Sequence, residues 1–237
     1  VLNNGKKIPA DLVICNADPP TVYSEMLPSE YSRDSLLKPK KFTHYSMGLY
    51  VLFFGSKKRF PDVAHHTIWM SERYKELLHD IFEKKILTED FSLYLHRPTA
   101  TDDTFAPEGC DSFYVLCPVP NLQGNVQWNS EGPKLKDRIV EALDKTIMPG
   151  LKENIEAEFW MTPEDFKNDY RSKYGAGFSV APIFSQSAWF RYHNKDKKIP
   201  NLYFSAAGSH PGAGIPGVLC SAKVIEKLII KDFKVSH

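Results

Sequence analysis

The chain has 237 residues, with 30 Lys and Arg against 29 Asp and Glu, a net charge of +1, and 42% hydrophobic residues. A balance so close to neutral argues against electrostatic nucleic-acid binding, which carries a basic excess, and 15 Phe, 11 Tyr and 4 Trp supply too much apolar surface for a disordered chain. The length admits one large domain or two small ones, and 17 prolines predict short elements with irregular connections.

In chain order, residues 1–15 read as a hairpin: Val1-Leu2, a turn at Asn3-Asn4-Gly5, then Leu12-Val13-Ile14-Cys15. The unbroken apolar run predicts a strand buried on both faces, ended by Pro19-Pro20. A polar, Pro-flanked stretch at 28–42 predicts a domain boundary. Phe42 to Phe54 reads as a long strand closed by Gly55 and Lys57-Lys58-Arg59-Phe60. Ser71 is placed to cap a helix over 72–84, with Tyr74, Leu77, Leu78, Ile81 and Phe82 on one face. Residues 91–96 and 113–117 alternate as strands. Gly132-Pro133 is expected to open a helix with the stripe Leu135, Ile139, Val140, Leu143 and Ile147, closed by Pro149-Gly150. Thr162-Pro163 starts another. Residues 174–194 are aromatic and irregular, and 201–207 form a strand leading through a glycine-rich turn into a helix over 216–231.

Cys15, Cys110, Cys117 and Cys220 follow no metal or disulfide spacing; Cys15 and Cys220 sit in apolar runs and read as small buried hydrophobes, in a reducing compartment. The longest apolar stretch, 47–54, is far short of the ~20 residues a bilayer span needs, which excludes an integral anchor within the chain and leaves peripheral attachment open. His65-His66 and His210 lack a Cys, His or carboxylate partner at ligand spacing, so no metal site is expected. Gly177 to Ala181 approaches the G-x-S-x-G nucleophile elbow, but Pro182 and irregular sequence follow where that motif needs a helix.

The informative segment is Gly208-Ser209-His210-Pro211-Gly212-Ala213-Gly214-Ile215-Pro216-Gly217. Residues 212–217 spell G-x-G-x-x-G, yet the βαβ context and the acidic residue about 20 positions on that define a dinucleotide fingerprint are missing. The physics still favours a ligand, because glycines admit a close approach and the N–H groups of the following helix point at whatever they admit. Close strand–helix packing is the competing explanation for the same glycines.

NLYFSAAGSHPGAGIPGVLCSAKVI resembles the C-terminal signature of bacterial-type phytoene desaturases, which are flavin-dependent. ADLVICNADPP, HHTIW, EDFSLYLHRPTATDDTFAPEGCDSFYVLCPVP and FSVAPIFSQSAWFRYHNKDK follow the order of that family, so the resemblance covers essentially all of the chain. Ala206 and Cys220 stand where the family tends to have Gly. The strand–GxGxxG–helix that grips the ADP half of FAD in that family is not in residues 1–30, and the chain starts at Val1. The resemblance therefore implies the C-terminal portion of a longer enzyme, with a missing N-terminal half. It implies an α/β (α+β mixed) fold of flavin-amine-oxidase-like architecture, with a mixed-sheet substrate domain plus C-terminal parts of a Rossmann-like FAD domain. Residues 1–27 and 166–237 would belong to the FAD-binding domain and 28–165 to the substrate domain.

The same resemblance implies FAD as cofactor, with Gly208 and Ser209 near its ribityl–phosphate portion and Gly214, Ile215, Pro216, Gly217 and Val218 facing the ring edge. It implies a hydrophobic polyene substrate, phytoene or a similar carotenoid precursor, desaturated by hydride transfer, with no nucleic-acid partner. Phe42, Met47, Leu49, Val51, Phe53, Leu93, Leu95 and Phe113 are candidate tunnel-lining residues, and a cytoplasmic, peripheral-membrane protein is expected, with Lys57 to Phe60 as a possible contact. The catalytic base stays unassigned. The alternatives are a non-catalytic apolar-ligand-binding fragment and a related flavin oxidase with a different substrate.

Overall fold

The computed structural model describes residues 1, 2, 4–32 and 43–234; the expected turn residue Asn3, most of the expected boundary segment and the tunnel candidate Phe42 lie outside the described residues. In chain order the elements are β1 (Val13–Cys15), the short α1 (Pro19–Thr21) and α2 (Ser29–Ser32), β2 (Gly48–Ser56), β3 (His66–Trp69), α3 (Tyr74–His79), β4 (Leu93–His96) and β5 (Asp111–Val119). Then follow α4 (Trp128–Lys145), β6 (Ile155–Met161), α5 (Pro163–Tyr170), β7 (Leu202–Phe204) and α6 (Ile215–Phe233). They group into two compact units, one of Val1–Ser46, Arg171–Lys173 and Phe178–His237, the other of Met47–Tyr170 and Tyr174–Gly177.

The second unit is built on an antiparallel sheet in the order β3-β4-β5-β2-β6. Alternation decides what each face does. Phe113, Val115 and Cys117 of β5 lie beside Phe54, Leu52 and Tyr50 of β2 and under α4, whose Leu135, Ile139 and Leu143 are buried. Leu93 and Leu95 join this core. Burying side chains of this size away from water stabilises by about 1.5–3 kcal/mol each, which makes this layer the unit's main source of stability. The opposite face carries Tyr94, His96, Tyr114 and Phe53. There Phe53 stacks on Phe159 with centroids 4.5 Å apart and tilts against Tyr114 at 5.4 Å.

Strand ends in this unit are pinned by a buried ion pair. Arg97 Nε lies 3.1 Å from Asp111 Oδ2, and Asp111 also accepts from Phe60 N–H at 2.7 Å and Thr99 Oγ1 at 2.7 Å. With its oxygens satisfied, a buried carboxylate is tolerable.

Several expectations shift for local reasons. Helix α4 begins at Trp128, ahead of Gly132-Pro133, because buried Trp128 stacks on Tyr50 at 6.3 Å and Tyr50 Oη donates to the Gly132 carbonyl at 2.9 Å. Ser71 does not cap α3. Its hydroxyl donates to Asp90 and accepts from Arg73 N–H, while the helix begins at Tyr74 and continues in π-helical form over Asp80–Lys84. Thr162 does start α5, its N–H and hydroxyl both donating to Asp165 Oδ2 at 2.6 and 2.8 Å, and α5 runs unbroken through 165 and 166 within the second unit.

The first unit contains the parallel pair β1–β7, in register Val13 with Leu202 through Cys15 with Phe204. Among the described residues the expected hairpin does not form: β1 pairs with a strand far along the chain, while Leu2 bonds with Gly5 and Lys6. Nor is β1 buried on both faces, since Val13 and Ile14 are exposed. Among the described residues this apolar strand has a single partner and little to cover Val13 and Ile14. Parallel and antiparallel pairing are thus both present, in separate sheets. Cys220 is exposed on α6, Cys15 is half-buried, and all four cysteines are free. Burial pushes the Cys117 thiol up to about 12. No helix among the described residues is long and apolar enough to cross a membrane.

Candidate cofactor site

Fully buried β7 delivers the chain into the glycine-rich turn, and α6 leaves it. Ser209, with no exposed surface, serves as an internal tie: its hydroxyl accepts from Ala206 N–H at 3.0 Å, donates to the Ala206 carbonyl at 2.9 Å, and lies 3.1 Å from Ser221 Oγ on α6. Asn194 Nδ2 closes the network, donating to Ser221 Oγ and to the carbonyls of Phe204 and His210. Gly208 is glycine for packing, because a Cβ would sit 2.6 Å from both Pro19 Cδ and Ser179 Oγ. The structure turns these two predicted residues inward.

Of the remaining predicted residues, Gly214, Ile215 and Pro216 are exposed and Gly217 and Val218 are half-buried. Gly214 holds φ of +91° with nothing within 4 Å of a built Cβ, Ile215 is 79% exposed, and Pro216 is exposed beside it. The first α-helical bond runs from Val218 N–H to the Gly214 carbonyl at 2.9 Å, which leaves the N–H groups of Ile215 and Gly217 without intrahelical acceptors. A side chain at Gly217 would press a Cβ to 2.6 Å from the Gly212 carbonyl oxygen, so its absence lets the turn fold back onto the helix. The result is an open helix start with free donors and the positive end of a 19-residue dipole. Such a cradle fits the electron-rich edge of a conjugated ring or a phosphate.

Behind the turn, Arg191 is buried without a carboxylate within bonding distance among the described residues. It donates instead to the carbonyls of Ala207 (2.9 Å), Phe178 (2.7 Å), Val180 (3.2 Å) and Gln186 (3.4 Å), tying the irregular segment to the turn. Asp18 accepts from Ser179 Oγ at 2.5 Å and Lys173 N–H at 2.9 Å. Desolvation raises its carboxyl above the ordinary range, opposed by those two hydrogen bonds and by the charges of Arg191 and Lys173. Ser179 is thereby accounted for: enclosed, at φ of +64° and bonded to a carboxylate, it is not an exposed nucleophile.

The tunnel candidates separate by face. Leu93, Leu95 and Phe113 are in the core under α4, and of these Phe113 also borders the apolar depression on this unit. Leu49, Val51 and Phe53 belong to the other face, where a shallow apolar depression of about 360 Å³ is lined by Phe53, Gly55, Pro98, Tyr114 and Phe159 among others. The basic tetrad is tied down: Lys58 Nζ donates to the Pro149 carbonyl at 2.6 Å, Arg59 pairs with Asp103 at 2.7 Å, and Phe60 is buried. The His65-His66 pair has a histidine neighbour that spacing along the chain does not show. His96, 31 positions beyond His65, is folded against the His65-His66 pair.

One unit thus carries a parallel strand pair and an open, glycine-lined helix start, and the other an antiparallel sheet. The chain belongs to the flavin containing amine oxidoreductase family, whose model matches residues 1–224. It is 45% identical over 235 residues to a phytoene desaturase (lycopene-forming) from Pantoea ananas, covering 98% of this chain and 47% of that protein. It is 44% identical over 236 residues to a phytoene desaturase (neurosporene-forming) from Rhodobacter capsulatus, covering 96% of this chain and 44% of that one. The chain thus spans about half the length of the relatives it matches. Among solved structures, an oxidoreductase from Methanosarcina mazei superposes with a TM-score of 0.50 at 15% identity, covering 92% of this chain and 43% of that one, a likeness of fold. Membership of this family implies a flavin cofactor.

Proposed function

We propose that the chain is part of an FAD-dependent oxidoreductase that desaturates phytoene or a similar carotenoid precursor. The observation that carries the reading is the 45% identity to a lycopene-forming phytoene desaturase across nearly the whole chain. The first unit is read as the returning part of the FAD domain, in sequence terms 1–27 and 166–237, and the second as the substrate domain. The exposed apolar residues Val13, Ile14 and Leu219 suit a sheet that is completed by a further, N-terminal part of the same enzyme.

In this reading Gly214, Ile215, Pro216, Gly217 and Val218 hold the flavin ring edge, while Gly208 and Ser209 keep the turn in shape behind them. When bound, the flavin supplies the hydride-accepting chemistry that none of these side chains has. The free N–H groups and dipole of α6 favour negative charge at the helix start without needing to reorganise. A hydrocarbon substrate offers no polar handle, so binding falls to apolar surface, and Phe53, Tyr114 and Phe159 provide one. Peripheral membrane attachment at the cytoplasmic side belongs to the same proposal; the exposed Phe184 (88%) and Trp189 (70%) of the irregular segment suit it better than the paired basic tetrad. Nothing in the reading involves nucleic acid.

The test is to supply the longer protein with FAD and phytoene in liposomes and read the product spectrum. Conjugated polyene bands are expected. Unchanged phytoene with turnover of amines would reassign the substrate class, and a protein that takes up no flavin would remove the enzymatic reading.

A further inference from the structure

We propose that His65, His66 and His96 form a site for one divalent transition-metal ion of the zinc type, bound through three imidazole nitrogens on the non-core face of the antiparallel sheet. Sheet register creates the site. His66 and His96 are directly opposed partners in the β3–β4 ladder, and opposed residues on one face bring their Cβ atoms within ~5 Å. His65 lies just outside β3, so strand alternation does not turn its ring to the other face. Its backbone is fixed by Arg97, whose N–H donates to the His65 carbonyl at 2.9 Å.

Ring spacing matches a shared ion. The centroids are 4.4 Å apart for His65–His66, 4.8 Å for His65–His96 and 5.2 Å for His66–His96. One ligand nitrogen from each ring falls within 4.8 Å of the other two, and Nε2 of His65 lies 2.8 Å from Nε2 of His96. Zn–N bonds of ~2.1 Å at tetrahedral angles place ligand nitrogens about 3.4 Å apart. Meeting that distance requires the 2.8 Å pair to open by about 0.6 Å and His66 to draw in.

The outer contacts are those a metal-binding imidazole needs. His65 Nδ1 contacts Thr101 Oγ1 at 2.5 Å and His66 Nδ1 contacts Tyr94 Oη at 2.8 Å. Both hydroxyls can accept from an Nδ1–H, which leaves the Nε2 lone pair of each ring for the ion. Imidazole donors with no carboxylate select zinc, copper or nickel over magnesium and calcium. The His65–His96 hydrogen bond places one proton on an Nε2, and when the metal enters that ring takes up its Nδ1–H tautomer, with no net proton released. Exposed His66 leaves the fourth position to solvent. Beneath the cluster, the Arg97–Asp111 pair holds the ends of β4 and β5, so the ligands stand on a fixed base. An ion here would tie edge strand β3 to β4.

The experiment is calorimetric titration of the chelator-treated full chain with Zn²⁺, with Co²⁺ absorption as a second probe. The expected result is one ion per chain, tetrahedral d–d bands, and a raised thermal midpoint. His66→Gln and His96→Gln should each abolish the stoichiometric step, and Tyr94→Phe and Thr101→Ala should weaken it about tenfold or more. His79→Gln, on exposed α3 outside the cluster, should leave it intact. His66 is exposed, so its variant remains informative even if His96→Gln folds poorly. Absence of a stoichiometric step, or a step that survives His66→Gln, overturns the proposal.

Discussion

Replacing Gly217 by alanine sets two effects against each other. Gly217 is the third residue of α6, and helix propensity alone favours alanine there by up to about 1 kcal/mol. The new Cβ, however, would meet Gly212 O at 2.6 Å and Gly212 C at 3.1 Å, both backbone atoms. Neither can rotate aside, so the 212–214 turn must lift from the helix, at a cost of about 1–3 kcal/mol by analogy with overpacked cores. The overlap wins, and a net destabilisation of about 1 kcal/mol is expected. Urea unfolding followed by circular dichroism reads this as a lower midpoint at unchanged slope. Gly55→Ala is the control, since nothing lies within 4 Å of its built Cβ and a strand glycine replaced without clash gains about 0.5 kcal/mol. A Gly217→Ala chain as stable as its parent would refute the close turn-to-helix contact that shapes the proposed cofactor site.

Tyr50→Phe should cost about 1 kcal/mol in the same unfolding assay, because it leaves the Gly132 carbonyl in the core without its hydroxyl donor; an unchanged midpoint would show that bond to be worth nothing. Asp18 should leave a pH signature. Its folded carboxyl titrates above the ordinary value of 3.8, so the stability it contributes is complete below 3.8 and is lost as pH rises through the raised folded value. The parent should therefore gain on Asp18→Asn as pH falls from 7 toward 4, and a gap that closes instead would contradict the burial argument. With a thiol reagent at pH 8, exposed Cys220 should react quickly, whereas Cys117, buried and raised to about 12, should react only after unfolding.

Elements whose stabilising partners lie nearby were legible in the sequence. The α4 stripe, the alternation of β4 and β5, the Thr162 start of α5 and the strand–turn–helix at the C-terminus follow from periods and caps written into consecutive residues. Long-range partners were not. The apolar run of β1 carries the composition of a parallel-sheet strand, but nothing local says that its neighbour is β7 or that its faces stay uncovered. The histidine cluster was invisible for the same reason, since register, not spacing, sets His96 opposite His66. Glycines posed a different difficulty, because one letter serves two causes: Gly208 makes room for Pro19 and Ser179, whereas Gly214 supplies a positive φ at an open helix start. For the tunnel candidates alternation gives two equivalent faces, and only α4 decides which of them is the core.

The central claim is that the start of α6 receives the flavin, and flavin content reports on it most directly. The longer protein should purify with one flavin per chain. Gly214→Val, which fills the space now open at the helix start, should remove most of that flavin while the β-sheet signal in circular dichroism is retained. Full flavin occupancy in folded Gly214→Val protein would contradict the account.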